Sequence, residues 1–199
     1  DILNAEAGID LGKSTRVETR NRPADDVLEK LADILLAAKN PCIVCGDEIV
    51  KSDALIEAGD FATTLGAAVY QQSVPYGAHF ISEHPCYIGG LSRDQGDVRN
   101  VLSAYDMMIS VGADPLRMSV YSEIDPLPNG MSVIQIGLLD WEMGKNYPVE
   151  QAIYGDPRET LKALIPAVRE KGGMALAERA QTAIAGMANR NWTAKRAKV

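Results

Sequence analysis

Three short apolar runs occupy the middle of the chain, at residues 107–111, 133–136 and 151–154. Each run is followed by a glycine and then, within three residues, by an aspartate: Gly112 with Asp114, Gly137 with Asp140, and Gly155 with Asp156. Continuous apolar runs that stop in this way are typical of strands buried on both faces of a parallel sheet. In an open parallel sheet, ligands bind outside the carboxyl ends of the strands. Small-molecule chemistry is therefore expected at the residues that follow these runs.

Length and charge limit the class of protein. The chain has 199 residues, of which 46% are hydrophobic, which is enough for one folded domain with extensions. Its 20 basic and 27 acidic residues give a net charge of -7, which disfavours nucleic acids and anionic membranes as partners. No membrane-spanning run or signal pattern is present in the sequence, so we expect a cytoplasmic protein. Because the chain starts at Asp1 rather than at a methionine, we also expect a piece of a longer polypeptide.

Hydrophobic periodicity divides the chain into alternating elements. Helices are predicted over residues 25–39, from near 52 to 66, over 94–104, and from Asp156 to Gly172-Gly173. Strands are predicted at residues 42–45, 67–70, 106–111, near 118–121, 131–136 and 151–154. The passage 71–92 is predicted to be a long irregular loop, and loops of this length are usually functional.

This alternation predicts an α/β fold. Right-handed crossovers would join the strands into a doubly wound, six-stranded parallel sheet within a three-layer sandwich. Residues 1–22 lack sustained periodicity and are predicted to be an N-terminal linker. Residues 23–172 would form the domain itself, and residues 173–199 would form a C-terminal helix and a linker towards a missing domain.

The three cysteines, Cys42, Cys45 and Cys86, include a C-x-x-C spacing that can mark a redox pair or half of a zinc site. Here the spacing lies inside an apolar strand, where residues three apart point to opposite faces. A second Cys or His pair that could complete a metal shell is missing. We therefore predict buried structural thiols and no metal site.

A dinucleotide site would need a glycine-rich turn after the first strand, but the chain has Gly46-Asp47-Glu48 there. Two carboxylates beside a pyrophosphate would repel it by roughly 4 kcal/mol at a separation of about 4 Å. Asp47 and Glu48 are instead predicted to lie in a solvated turn. If a nucleotide does bind, the residues expected to contact it are Gly46, Gly112, Arg117, Asp140 and Asp156. The alternative for Arg117 is pairing with nearby acids, and for Asp140 a turn or cap.

Both histidines lie in the passage 71–92. His84, which precedes Pro85, is predicted to have a structural role, whereas His79 is the candidate for reaching a neighbouring domain as a general base. Trp141 and Met143 are predicted to pack under the last turn, with an aromatic wall for a ligand as the alternative.

The order of the weaker motifs resembles the central domain of thiamine-diphosphate-dependent enzymes, the family of benzoylformate decarboxylase and acetolactate synthase. The resemblance covers about residues 1–170 and depends on segments that recur in a fixed order: Arg22-Pro23, Asn40-Pro41-Cys42-Ile43-Val44-Cys45-Gly46, Leu65-Gly66-Ala67, His84-Pro85 with Gly89, Tyr105-Asp106 leading to Val111-Gly112, and Asp140, Gly144-Lys145-Asn146 and Ile153-Tyr154-Gly155-Asp156-Pro157.

The resemblance implies a Rossmann-like middle domain of a three-domain enzyme. The flanking pyrimidine-binding and diphosphate-binding domains of the same polypeptide would hold thiamine diphosphate and Mg²⁺, including the activating glutamate and the Gly-Asp-Gly motif. The complete enzyme, a homodimer or homotetramer, would cleave or form a bond beside the carbonyl of a 2-oxo acid, with the cofactor as electron sink. The chain alone would be inactive.

Two departures from the family pattern leave alternatives open. The segment that includes Gly112 and Arg117 looks most like the benzoylformate decarboxylase branch, but Ser119 occupies the position of a catalytic histidine in that branch. A serine cannot supply the same proton transfer near neutral pH, so benzoylformate is not expected to be the substrate. No catalytic residue is expected within this chain, and His79 and Ser119 remain only as candidates. The alternatives to a scaffold domain are an FAD- or ADP-binding module of the acetolactate synthase type, which the Gly46 turn does not favour, and a purely structural oligomerisation domain.

Overall fold

Parallel strands form a single sheet in the computed structural model, which describes residues 4, 6, 8, 10, 12–15, 17–119 and 121–198. Among these residues the sheet has six strands: β1 (Pro41–Cys45), β2 (Ala68–Gln71), β3 (Tyr87–Gly90), β4 (Met107–Val111), β5 (Ser132–Gly137) and β6 (Gln151–Tyr154). All neighbours are parallel, in the order β3-β2-β1-β4-β5-β6. The order reverses between β1 and β4. The prediction of a doubly wound, six-stranded parallel sheet is confirmed.

One of the six strands was predicted in the wrong place. Residues 87–90 form β3, although the passage 71–92 was predicted to be irregular, and the strand predicted near 118–121 is absent at the described positions Met118, Ser119 and Tyr121. The two edges of β4 are already paired with β1 and β5, so a strand directly after it has no place beside it. Leu116 also turns the chain with a φ of 57°.

Helices cover the sheet as α1 (Asp25–Ala37), α2 (Asp47–Lys51), α3 (Leu55–Leu65), α4 (Gln95–Leu102), α5 (Pro157–Met187) and α6 (Trp192–Arg196). Helices α1, α3 and α5 pack together on one face. The crossover from β3 to β4 runs in the opposite direction to the one from β1 to β2, so right-handedness places α4 on the other face. The predicted three-layer arrangement is confirmed. The helix predicted from near residue 52 to 66 corresponds to α3, and α2 is a further short helix in the segment that was predicted to be a turn.

Basic side chains of α5 tie it to both of its neighbours. Arg158 bonds Asp53 and Glu57 at 3.0 Å in each case, on the α3 side. On the α1 side, Lys171 Nζ bonds Asp33 at 2.8 Å. Gly173 interrupts α5 with a φ of 53° and a ψ of -148°, which matches the predicted helix end at Gly172-Gly173. The assignment of residues 173–199 to a linker stays a prediction.

The two central strands β1 and β4 are buried along their whole length, which explains why their sequences are continuously apolar. Cys42, Cys45 and Cys86 are all buried and free, as predicted. Burial raises the pKa of each thiol, to about 12 for Cys86. Among the described residues, no helix is long and apolar enough to span a membrane.

Candidate functional site

The carboxyl ends of β1 and β4 form the point where the strand order reverses, and this is where a doubly wound sheet takes its ligand. Here the two ends are closed against each other. The Gly46 N–H donates to the Val111 carbonyl at 3.2 Å, and the Glu48 N–H donates to the Gly112 carbonyl at 3.0 Å. A Cβ atom on Gly46 would lie only 2.3 Å from the Ala113 Cα. Backbone atoms of the loops after β1 and β4 therefore lie close together at the reversal point.

Glu48 crosses the closed end of the sheet from β1 to β5. Its side chain is buried, and Oε2 accepts a hydrogen bond from the Leu138 N–H at 2.8 Å. Gly137 leaves room for the carboxylate, because a Cβ there would lie 2.5 Å from Glu48 Oε2. The prediction that Glu48 lies in a solvated turn is wrong. Its backbone belongs to α2, and that short helix carries its side chain inward over the sheet.

Burial is the main cause of the raised pKa of Glu48. The Leu138 N–H and Lys51 oppose this shift, whereas the negative charges of Asp156 and Asp47 add to it. A buried carboxylate at the reversal point would also repel an incoming phosphate. When ionised, Glu48 would disfavour nucleotide binding electrostatically, whereas the closed backbone would do so sterically.

Asp47 is the centre of a polar network over the ends of β1 and β2. Its carboxylate contacts His79 Nε2 and accepts hydrogen bonds from Gln72 Nε2 at 3.1 Å and from the Tyr76 N–H at 3.2 Å. Gln72 Oε1 in turn accepts from the Asp114 N–H at 3.1 Å, so the network extends to the end of β4. These bonds hold the passage after β2 against the sheet.

His79 is turned into this domain rather than towards a neighbour, since only 1% of its side chain is exposed. This corrects the expectation that it reaches an adjacent domain. His84 has the structural role that was predicted: its Nε2 is 3.2 Å from Thr63 Oγ1, and its Nδ1 accepts from the Cys86 N–H at 3.2 Å. Burial lowers the pKa of His84, so the neutral ring is favoured.

The remaining predicted site residues do not converge on one pocket. Arg117 is exposed and pairs with Asp114 at 3.1 Å, the alternative given for it above, while Ser119 is also exposed. Asp140 begins a single 3₁₀ turn (Asp140–Glu142), where its carboxylate accepts from the Trp141 N–H at 2.8 Å. Only Gly46 and Gly112 are brought into direct contact. Whether these residues bind a ligand stays a prediction.

Asp156 caps α5 in the way its sequence predicts. Its Oδ1 accepts from the Glu159 N–H at 3.0 Å, Pro157 fills the first helical position, and its own N–H donates to the Asn21 carbonyl. The carboxylate is buried in this role.

Replacing Asp156 by alanine is expected to lower the free energy of unfolding by about 1 kcal/mol, the usual loss for an N-cap. Asparagine caps helices almost as well, so Asp156→Asn should retain most of the stability. Urea denaturation of both variants checks this. An equal loss in the two variants would contradict the capping role and would point to a need for the charge itself.

Several large apolar side chains at the carboxyl side of the sheet are exposed. Those in the segments after β2, β4 and β5 include Tyr76 at 77%, Tyr121 at 88%, Leu139 at 52% and Trp141 at 79%. Trp141 therefore does not pack under the last turn as predicted. Its ring instead has Lys145 Nζ at 5.8 Å from its centroid. Exposed aromatic residues grouped on one side of a domain are typical of an interface.

Across residues 17–119 and 121–198 and the described N-terminal positions, no group of three or more His, Cys, Asp or Glu side chains could hold a cation. The sequence also lacks a Gly-Asp-Gly segment. Hard divalent cations such as Mg²⁺ bind oxygen ligands, among them the carboxylates of Asp and Glu.

Comparisons with known proteins agree on one family. The family model described as the central domain of thiamine pyrophosphate enzymes matches residues 28–164. Benzoylformate decarboxylase of Pseudomonas aeruginosa is 27% identical over 165 residues, which is 83% of this chain and 31% of the relative. The large subunit of acetolactate synthase from Corynebacterium glutamicum is 28% identical over 83% of the chain and 27% of its own length.

Solved structures give the same picture. A protein of Mycobacterium smegmatis described as a thiamin diphosphate-dependent enzyme superposes with a TM-score of 0.72 and 31% identity, over 79% of this chain and 31% of that one. The 4-hydroxybenzoylformate decarboxylase of Rhodococcus jostii has a TM-score of 0.71 and 26% identity, over 78% of this chain and 29% of its own. The chain thus spans about three tenths of the length of the proteins it matches.

Proposed function

Because this chain belongs to the family of thiamine pyrophosphate enzyme central domains, we propose that it is the non-catalytic scaffold of an enzyme that decarboxylates or joins 2-oxo acids. The observation that carries the proposal is the closed reversal point of the sheet. Backbone of Gly46 and Gly112 fills it, and the buried Glu48 carboxylate spans it. A domain whose usual ligand site is filled by its own chain is suited to hold other domains in position.

Thiamine diphosphate and Mg²⁺ belong, in this proposal, to flanking pyrimidine-binding and diphosphate-binding domains. The lack of a cation-binding group among the described residues supports this division. The geometry gives no support to the alternative of an FAD- or ADP-binding module. The Glu48 side chain occupies the place that a diphosphate would take, and the Gly112 carbonyl accepts from the Glu48 N–H, a donor that a diphosphate would use.

The exposed aromatic residues support a scaffold role for the carboxyl side of the sheet. Tyr121 and Trp141 are the most exposed apolar side chains there, and we assign this side to contacts with the flanking domains. Assembly into a homodimer or homotetramer and a cytoplasmic location are parts of the same proposal.

The test compares the chain with the product of the entire reading frame that encodes it. In isothermal titration with thiamine diphosphate and Mg²⁺, the 199-residue chain is expected to give no binding heat and, with a panel of 2-oxo acids, no release of carbon dioxide. The product of the entire reading frame should bind the cofactor and turn over at least one of them. Binding or turnover by the chain alone would refute the scaffold role, and an inactive full product that binds no cofactor would refute the enzyme class.

A further inference from the structure

His84 lies between helix α3 and the start of β3, and its side chain is partly buried. The ring packs on the backbone of α3, where a Cβ on Gly59 would lie 3.4 Å from His84 Cδ2. On another side it meets Phe80, with the two ring centroids 5.1 Å apart and the two planes at 76°. The imidazole is therefore a structural part of the junction between these elements.

Hydrogen bonds fix which ring nitrogen of His84 carries the proton. Thr63 Oγ1 donates its only proton to the Gly59 carbonyl at 3.0 Å. The same oxygen can therefore only accept from His84 Nε2, which lies 3.2 Å away. The other nitrogen, Nδ1, accepts from the Cys86 N–H at 3.2 Å. The two bonds together select the neutral ring with its proton on Nε2.

A second proton on the ring has no acceptor. It would be added at Nδ1, where it would point at the Cys86 N–H, which is itself a donor. Burial lowers the pKa of His84, and the Gly59 carbonyl opposes this shift. The charged ring therefore loses its hydrogen bond from Cys86 and cannot keep its place in the turn.

The turn at residues 84–86 joins the start of β3 to the C-terminal segment 188–198. The Cys86 carbonyl accepts from the Val69 N–H of β2 at 2.8 Å. Asn191 Nδ2 donates to the Pro85 carbonyl at 3.3 Å, and its Oδ1 caps α6 by accepting from the Ala194 N–H at 2.9 Å. Because the bond to His84 Nδ1 closes the turn around Pro85, its loss loosens both attachments.

Trp192 packs on β3 beside this turn. Its ring centroid is 6.2 Å from that of Tyr87, and a Cβ on Gly89 would lie 3.5 Å from the indole. The segment that carries it is weakly held, since α6 has only five residues and most of residues 192–198 are exposed. Elements with few buried apolar contacts open at low free energy. Loss of the Asn191 anchor is therefore enough to release the segment.

The acidic side chains of α3 near this junction are paired with arginines of α5. Arg158 Nε donates to Glu57 at 3.0 Å, and Arg169 pairs with Asp60. These carboxylates are thereby neutralised by partners other than His84. A protonated imidazole would have to compete with an arginine for either of them.

The other titratable groups around the turn do not change charge near neutral pH. Glu83 lies 3.7 Å from Arg196 of the C-terminal segment, and Lys195 Nζ donates to the Ile88 carbonyl at 2.8 Å. Burial raises the pKa of Cys86 to about 12 and also raises the pKa of Tyr87. Histidine is the side chain whose ordinary titration lies between about pH 5 and 8.

We propose that His84 is an acid-sensitive switch, whose protonation opens the turn at residues 84–86 and releases segment 188–198 from β3. Above the ordinary histidine pKa of about 6.5, the neutral ring keeps the turn closed. Because folding lowers the pKa of His84, the stability that the neutral ring contributes is lost as the pH falls from that value through the folded pKa. The switch acts within this chain and does not depend on the proposed enzyme class.

The test follows the fluorescence of Trp192 in the 199-residue chain carrying Trp141→Phe, which removes the other of its two tryptophans. The emission should move to longer wavelength as the pH falls from about 8 to 5, because the indole passes from β3 into water. Adding His84→Asn should abolish this shift, since the asparagine oxygen can accept from the Cys86 N–H but does not titrate. An equal shift in both chains would overturn the proposal, because acid would then act through other groups.

A second measurement needs no change at residue 84. Imidazole ¹⁵N NMR of the Trp141→Phe chain should show His84 with its proton on Nε2 at about pH 8. Its protonation should have the same midpoint as the shift in Trp192 emission. The opposite tautomer, a different midpoint or an emission that stays constant with pH would overturn the proposal, even if His84→Asn fails to fold.

Discussion

Replacing Gly46 by alanine is expected to destabilise the chain by about 3 kcal/mol, the upper part of the range for overpacking a well-packed interior. The new Cβ would lie 2.3 Å from the Ala113 Cα, 2.3 Å from Gln72 Oε1 and 2.5 Å from the Gly112 carbonyl oxygen. Two of these three atoms belong to backbone, which cannot rotate away. With a φ of -133° and a ψ of -166°, Gly46 is in a conformation open to alanine, so the loss comes from space alone.

The measurement is urea denaturation followed by far-ultraviolet circular dichroism. Gly90→Ala is the matched control, because a Cβ at Gly90 meets no atom within 4 Å, and its stability should change by less than about 1 kcal/mol. If Gly46→Ala were as stable as Gly90→Ala, the carboxyl ends of β1 and β4 would have to be further apart than described. The closed ligand position, on which the scaffold role depends, would then be open.

The success of the sequence in predicting the sheet follows from burial. Strands β1 and β4 are covered on both faces and paired on both edges, so every position is apolar and the signal is continuous. Strand β3 has only four residues, two of them glycine, and follows a proline. Residues 87–90 form a strand because they pair with the free edge of β2, and their own sequence gives no sign of that pairing.

The candidate site was predictable in part. Asp156 was identified as the N-cap of α5 because it directly precedes Pro157 in the sequence. Glu48 was missed because its hydrogen-bond partner Leu138 is 90 residues away, and a Gly-Asp-Glu turn has the same local sequence whether its acids are solvated or buried. The usable signal was indirect. Gly46 follows β1, Gly112 follows β4 and Gly137 ends β5, each where other chain atoms approach closely, and Gly137 accommodates the carboxylate.

Replacing Glu48 by glutamine is expected to stabilise the chain at pH 8 by about 1 to 2 kcal/mol, a common size for relief of an unfavourable buried group. Folding raises the pKa of Glu48, chiefly through burial, so the folded state binds its proton more tightly than the unfolded chain does. The stability that this group contributes is therefore fully present below its unfolded pKa and is lost as pH rises through the folded pKa. Glutamine keeps an acceptor for the Leu138 N–H and carries no charge at any pH.

The advantage of Glu48→Gln should accordingly be largest at pH 8 and should shrink as the pH is lowered and the parent carboxylate gains its proton. Thermal or urea unfolding at several values between about pH 5 and 8 measures this difference. Glu123→Gln changes the net charge by the same amount at an exposed position and should show no such trend. A difference between Glu48→Gln and the parent that stays constant with pH would mean that the folded state does not retain the proton of Glu48. Glu48 would then be ionised in the folded state over this range, and the rise of its pKa through burial would be contradicted.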